Sequence, residues 1–134
     1  MYNLFESLTT LPKGVFNPER NEIYVKQFTE LATAIAQKAS IQNFHITYCS
    51  SGGKANWLAP DVKDKILELH ETGSTSFITC ELLALCADVE SYFEIGEDCQ
   101  EVCNELDVPF AVAEFPGDSL NTVYALANLV ASRL

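Results

Sequence analysis

Strand-like apolar runs alternate with helical stretches along this chain, and that alternation restricts its fold more than any other feature. Leu4–Leu8 is a short apolar start that fits a strand, broken by Thr9-Thr10-Leu11-Pro12-Lys13-Gly14. From about Pro18 to Ala39, Ile23, Phe28, Leu31, Ile35 and Ala39 recur at helical spacing. Asn43–Cys49 alternates as a strand does, through Phe44, Ile46 and Tyr48, and Ser50-Ser51-Gly52-Gly53 ends it. Pro60-Asp61 opens a second helix that runs to about His70 and closes at Gly73. Ser76–Cys80 is a further strand, and Asp88 is placed to cap a helix that reaches about Leu106. Pro109–Ala113 is a last short strand, and Asp118 or Ser119 starts a final helix that ends near Leu134. Strands separated by helices pair in parallel, so the expected fold is three-layer α/β: a small parallel sheet of about four strands with helices on both faces. Ligands of such sheets bind at the carboxyl ends of the strands. Here those ends lead into Thr9–Gly14, Ser50–Trp57, Glu81–Asp88 and Glu114–Asp118.

A chain of 134 residues fits one domain, 1–134, and can bury a core without disulfides. With 48% hydrophobic and 20% charged residues the composition is globular. No apolar run approaches the ~18 residues of a membrane span. Met1–Glu6 lacks a basic region followed by an apolar stretch, so no signal peptide is expected and a cytoplasmic location is. Nineteen acids against eight bases give a net charge of −11. That excludes the basic footprint of a nucleic-acid binder and disfavours anionic membranes, while it suits metal cations. The five cysteines are odd in number and form no Cys-x-x-Cys pair, so neither a disulfide framework nor a zinc ribbon is expected. Cys49 and Cys80 fit as small buried hydrophobes, and Cys99 and Cys103, one turn apart, fit core packing better than a metal or redox role.

The helix after Asp88 carries the most suggestive chemistry. On a wheel of about 100° per residue, Glu90, Glu94, Glu97, Asp98, Glu101 and Glu105 share one arc, and Tyr92, Ile95, Cys99, Val102, Cys103 and Leu106 share the opposite one. Amphipathicity of this kind usually means a solvated face. However, Glu90–Glu94–Asp98 and Glu97–Glu101–Glu105 stack like charges at i,i+4, each pair costing a few tenths of a kcal/mol. No lysine or arginine lies between Glu81 and Glu114 to relieve them, and a cation held by hard oxygen ligands would. His45, in a strand, and His70, beside Glu71, read as structural or exposed. Ser51-Gly52-Gly53-Lys54 lacks phosphate-loop spacing and reads as a turn.

The run Ser50-x-x-Gly53-x-x-x-Trp57-Leu58-x-Pro60 resembles the C-terminal half of the ferrochelatase family, which carries Ser-x-x-Gly-x-x-x-Trp-Leu-x-Pro after a strand. The family's acidic motif, approximately Asp-His-x-Glu-Thr-x-x-Glu, corresponds here to Ala87-Asp88-Val89-Glu90-Ser91-Tyr92-Phe93-Glu94. The resemblance runs without gaps from about Phe44 to Asp107 and resumes from Ala113-Glu114 through Leu129-Val130. It implies a chelatase-like half domain and insertion of Fe²⁺, or another divalent cation, into a porphyrin in haem biosynthesis. Ser50, Trp57 and Leu58 would then line the tetrapyrrole. Glu90 matches the active-site glutamate, and Asp88, Glu90, Glu94 and Asp98 the metal-handling carboxylates. No [2Fe-2S] cluster is expected. Two positions depart from the family pattern: its two histidines fall at Thr9 and Asp88, and neither side chain can act as an imidazole. The family's N-terminal half has no counterpart in this chain, so a homodimer, or a partner supplying the second half, would have to complete the cleft. Three readings follow: a ferrochelatase-type lyase, a non-catalytic relative that binds a tetrapyrrole or metal or regulates a true chelatase, and a structural domain with a solubilising stripe.

Overall fold

The computed structural model describes residues 3–7, 18–49, 58–82, 84–86, 88, 89, 91–117 and 119–134. Its strands are β1 (Asn3–Ser7), β2 (Phe44–Ile46), β3 (Phe77–Glu81) and β4 (Phe110–Val112). Its α-helices are α1 (Pro18–Lys38), α2 (Val62–Glu71), α3 (Asp98–Glu105) and α4 (Leu120–Ala131), and a π-helix, Ser91–Glu97, runs directly into α3. The strands form one parallel sheet in the order β2-β1-β3-β4. The alternation in the sequence therefore predicts the fold class correctly.

Local chemistry sets the ends of these elements. Asp61 accepts from the Lys63 amide at 2.9 Å and caps α2. Gly73, at φ +102°, ends that helix in the left-handed region: its N–H donates to His70 and that of Ser74 to Leu69. Ser119, rather than Asp118, caps α4, accepting from the Thr122 amide at 3.3 Å. The second strand is shorter than its apolar alternation predicts, because Tyr48 leaves the sheet ladder to bridge Asp61 through Tyr48 N to Pro60 O and Val62 N to Tyr48 O.

Strand periodicity divides the core between the two sheet faces. Phe44, Ile46 and Ile78 share one face, the register running from β2 through β1 to β3. There Ile46 and Leu82 pack with Phe28 of α1, Tyr24, Tyr48 and Leu58. On the other face Cys49 and Phe77 pack with Val62 and Ile66 of α2, with Ile95 of the π-helix, and with Cys99 and Cys103 of α3. Both α3 thiols are fully buried core groups. Burial pushes the Cys99 thiol well above its ordinary range and Cys103 up to about 11, so both stand as neutral thiols in the core. The final helix differs from the rest, since none of its residues is buried.

Candidate functional site

The acidic segment follows the carboxyl end of β3, where a ligand of a parallel sheet is expected. Asp88 begins it as a cap: its Oδ1 accepts from the Ser91 amide at 2.7 Å, and its carbonyl from Tyr92 N at 3.0 Å. The helix that follows is not α-helical at first. Its first turns close by i→i+5 bonding, a rare form that is frequent at functional sites. Buried side chains support the widened turn. Thr79 Oγ1, fully buried on β3, donates to the Ile95 carbonyl at 3.2 Å, and Cys99 Sγ donates to the Glu94 carbonyl at 3.1 Å. Gly96 sits inside it, where an α-helix would be weakened by the missing side chain.

The wide turn changes which residues share a face, and corrects the 100° wheel. Ser91, Ile95, Cys99 and Cys103 form the buried row, each four residues after the last, whereas Tyr92 is 56% exposed. The carboxylates divide accordingly. Glu97, Glu101 and Glu105 are exposed, as a solvated face should be. Glu94 and Asp98, one residue back from the buried row, are half-buried. The expectation that no basic group relieves the stripe is also corrected. Lys63 reaches across from α2 and pairs its Nζ with Asp98 Oδ2 at 3.0 Å. That hydrogen bond holds the Lys63 ammonium above its usual range. Tyr92 donates its hydroxyl to Glu97 Oε1 at 2.9 Å, which raises the phenol.

From the sequence, Glu81 reads only as the start of a loop. In the structure it closes β3 as a buried carboxylate, 6% exposed, at the carboxyl end of the sheet. It lies near the Tyr24 phenol, whose proton is held above the usual range first by burial and then by the Glu81 charge. A glutamate ending the otherwise apolar Phe77-Ile78-Thr79-Cys80 run was the available signal.

Leu58, expected beside the tetrapyrrole, is half-buried and packs with Phe28 and Tyr48. Thr9, Ser50, Trp57 and Glu90 lie outside the described residues. The chain flanking Ser50 and Trp57 is nevertheless pinned, because Tyr48 and Pro60–Val62 are hydrogen-bonded to each other. Among the described residues, no three histidine, cysteine, aspartate or glutamate side chains converge as a metal site. The described carboxylates thus present Asp88 engaged in a cap, Glu94 half-buried in the π turn, and Asp98 paired with a lysine. None of the described helices is long and apolar enough to cross a membrane. A separate cavity of about 470 Å³, lined by Phe44, His45, Leu69 and Ser74 among others, opens at the amino ends of β2 and β3, away from this segment.

The family model described as Ferrochelatase matches residues 6–134. The chain belongs to the ferrochelatase family. Among its relatives in that family are a coproporphyrin III ferrochelatase of Geobacillus sp. (strain WCH70), 29% identical over 133 residues and 98% of this chain, and one of Halalkalibacterium halodurans, 31% identical over 130 residues and 96% of this chain. The chain spans 42% and 41% of the lengths of those two ferrochelatases. In structure it is similar to a putative cobalamin (vitamin B12) biosynthesis CbiX protein of Marinobacter aquaeolei VT8, with a TM-score of 0.69 and 17% identity over 99% of this chain and 97% of the other. That likeness shows a chelatase-like fold in a chain of about the same length, without the doubled length of the ferrochelatases above.

Proposed function

We propose that this chain inserts a divalent metal, Fe²⁺ as substrate, into a porphyrin, with two copies of the chain forming the cleft. The observation that carries the reading is the π-helix entered from Asp88, which sets Glu94 and Asp98 beside the buried row at the ligand-binding end of the sheet. Inserting M²⁺ into a free-base porphyrin releases two pyrrole protons, so the site needs a proton acceptor as well as a loose metal carrier. In this reading Glu90 takes the protons, while Asp88, Glu94 and Asp98 hold and pass the cation. Ser50, Trp57 and Leu58 flank the macrocycle, and Thr9 stands where an imidazole is usual. The net charge of −11 favours cation approach. Coproporphyrin III, named for the relatives, is the first porphyrin to test, with protoporphyrin beside it.

One observation favours a second reading, a relative that binds a tetrapyrrole or metal without turnover. Asp88 is engaged in its cap, and Asp98 is paired with Lys63. Anaerobic titration with each porphyrin and Fe²⁺ or Zn²⁺, followed at the Soret band, separates the two. Metalloporphyrin formed faster than by a Glu90→Gln variant supports catalysis. A Soret shift without turnover supports binding alone, and no shift with any porphyrin refutes both.

A further inference from the structure

α4 is apolar around most of its circumference, yet none of its residues is buried. Leu120, Val123, Tyr124, Leu126 and Val130 fall within one wide arc of the helix, with Ala127 and Ala131 between them, while Asn121, Ala125, Asn128, Leu129 and Ser132 lie outside it. The five larger side chains are 48–68% exposed. Together they leave on the order of 500 Å² of apolar surface in water, as large as the largest patch of a typical monomer and most of the ~800 Å² each partner gives a standard interface. A second incomplete surface lies elsewhere. An open groove of about 300 Å³ runs between the π-helix and the edge strand β4, floored by Phe110, Ala111, Val112 and Gly96 and rimmed by Glu97 and Glu101.

We propose that α4 is an exchange helix: its apolar face seats in the π-helix–β4 groove of a second copy of this chain, and the partner's helix returns the contact. Charge points to a second copy. Each copy carries −11, so association elsewhere brings acid against acid, but α4 contains no acidic residue. The one charged residue following it, Arg133, suits the Glu97–Glu101 rim. A reciprocal contact of this kind closes into a two-fold dimer and leaves neither surface open. The segment 113–117, with Pro116 and with Gly117 at φ +52°, precedes the helix as its tether. The seat also borders the π-helix, so dimer formation and the carboxylate segment are mechanically joined. The inference rests on the two-copy part of the functional reading and names its surface.

Sedimentation equilibrium of the purified chain tests it. The expected result is a dimer whose apparent mass falls by half in Tyr124→Glu, on the helix, and in Val112→Glu, in the groove. Thermal melts of the isolated monomeric variants check folding, and Val130→Lys serves if Tyr124→Glu does not fold. A dimer that persists in both folded variants overturns the exchange while leaving dimerisation and metal insertion standing. A wild-type monomer at 100-fold the concentration of a Soret titration overturns the exchange, and the titration then decides the chemistry separately.

Discussion

Thr79 is the residue through which the strand holds the widened turn, and replacing it with valine isolates that function. Valine keeps the shape and burial of threonine and removes only the hydroxyl that donates to the Ile95 carbonyl. A neutral buried hydrogen bond contributes about 1 kcal/mol net, and more if the carbonyl is left without another donor, up to ~3 kcal/mol. For a domain of this size about 1 kcal/mol lowers the melting temperature by roughly 3–5 °C. The loss has a local consequence as well. Without the Thr79 donor the π turn can relax toward α-helical bonding, which rotates Glu94 out of step with the buried row. Amide exchange across 95–100 therefore quickens in Thr79→Val. Thr79→Ser keeps the donor and removes a methyl, so it loses about 0.8 kcal/mol or more from packing but retains slow exchange there. Equal exchange rates in the two variants would refute the claim that this hydroxyl supports the π turn.

Further outcomes follow from the same geometry. Lys63→Met removes an ion pair whose side chains are each about 40% exposed, so stability changes by less than about 1 kcal/mol and the change shrinks as salt rises. Lys63 binds its proton more tightly folded than unfolded, so its contribution is complete below the ordinary 10.5 and fades as pH climbs through the higher folded value; urea melts between pH 8 and 12 show that loss in wild type and not in Lys63→Met. A disulfide reagent at pH 8 labels exposed Cys86 rapidly, whereas buried Cys99 and Cys103 react only on unfolding, and Cys86→Ser removes the fast phase.

Much of the fold is legible in the sequence because its signals are local. Asp61 and Ser119 as caps, Gly73 as a stop and the short apolar strands each act through neighbours in the chain. The site was less legible, because its determinants lie across the fold. Lys63 is 35 residues from Asp98 in sequence, and only the packing of α2 on α3 brings them together. The π turn escapes a fixed wheel, although it left a trace. Ser91, Ile95, Cys99 and Cys103 repeat every four residues, a longer period than the 3.6 of an α-helix, so they stay on one face only if a turn is widened. Read that way, the carboxylate stripe separates into a solvated row at Glu97, Glu101 and Glu105 and a half-buried pair at Glu94 and Asp98. Burial of Glu81 is likewise a tertiary fact, and its charge acts on Tyr24 of α1, far away in sequence.

The central claim is chemical, and the rate of metal insertion tests it most directly. Coproporphyrin III and Zn²⁺ or anaerobic Fe²⁺ are mixed with the purified chain, and the Soret band is followed against the rate without protein. The account predicts that the chain accelerates metalloporphyrin formation, that Glu90→Gln abolishes the acceleration, and that Glu94→Gln weakens it. A rate equal to the uncatalysed one, with porphyrin bound or not, contradicts metal insertion as the activity of this chain.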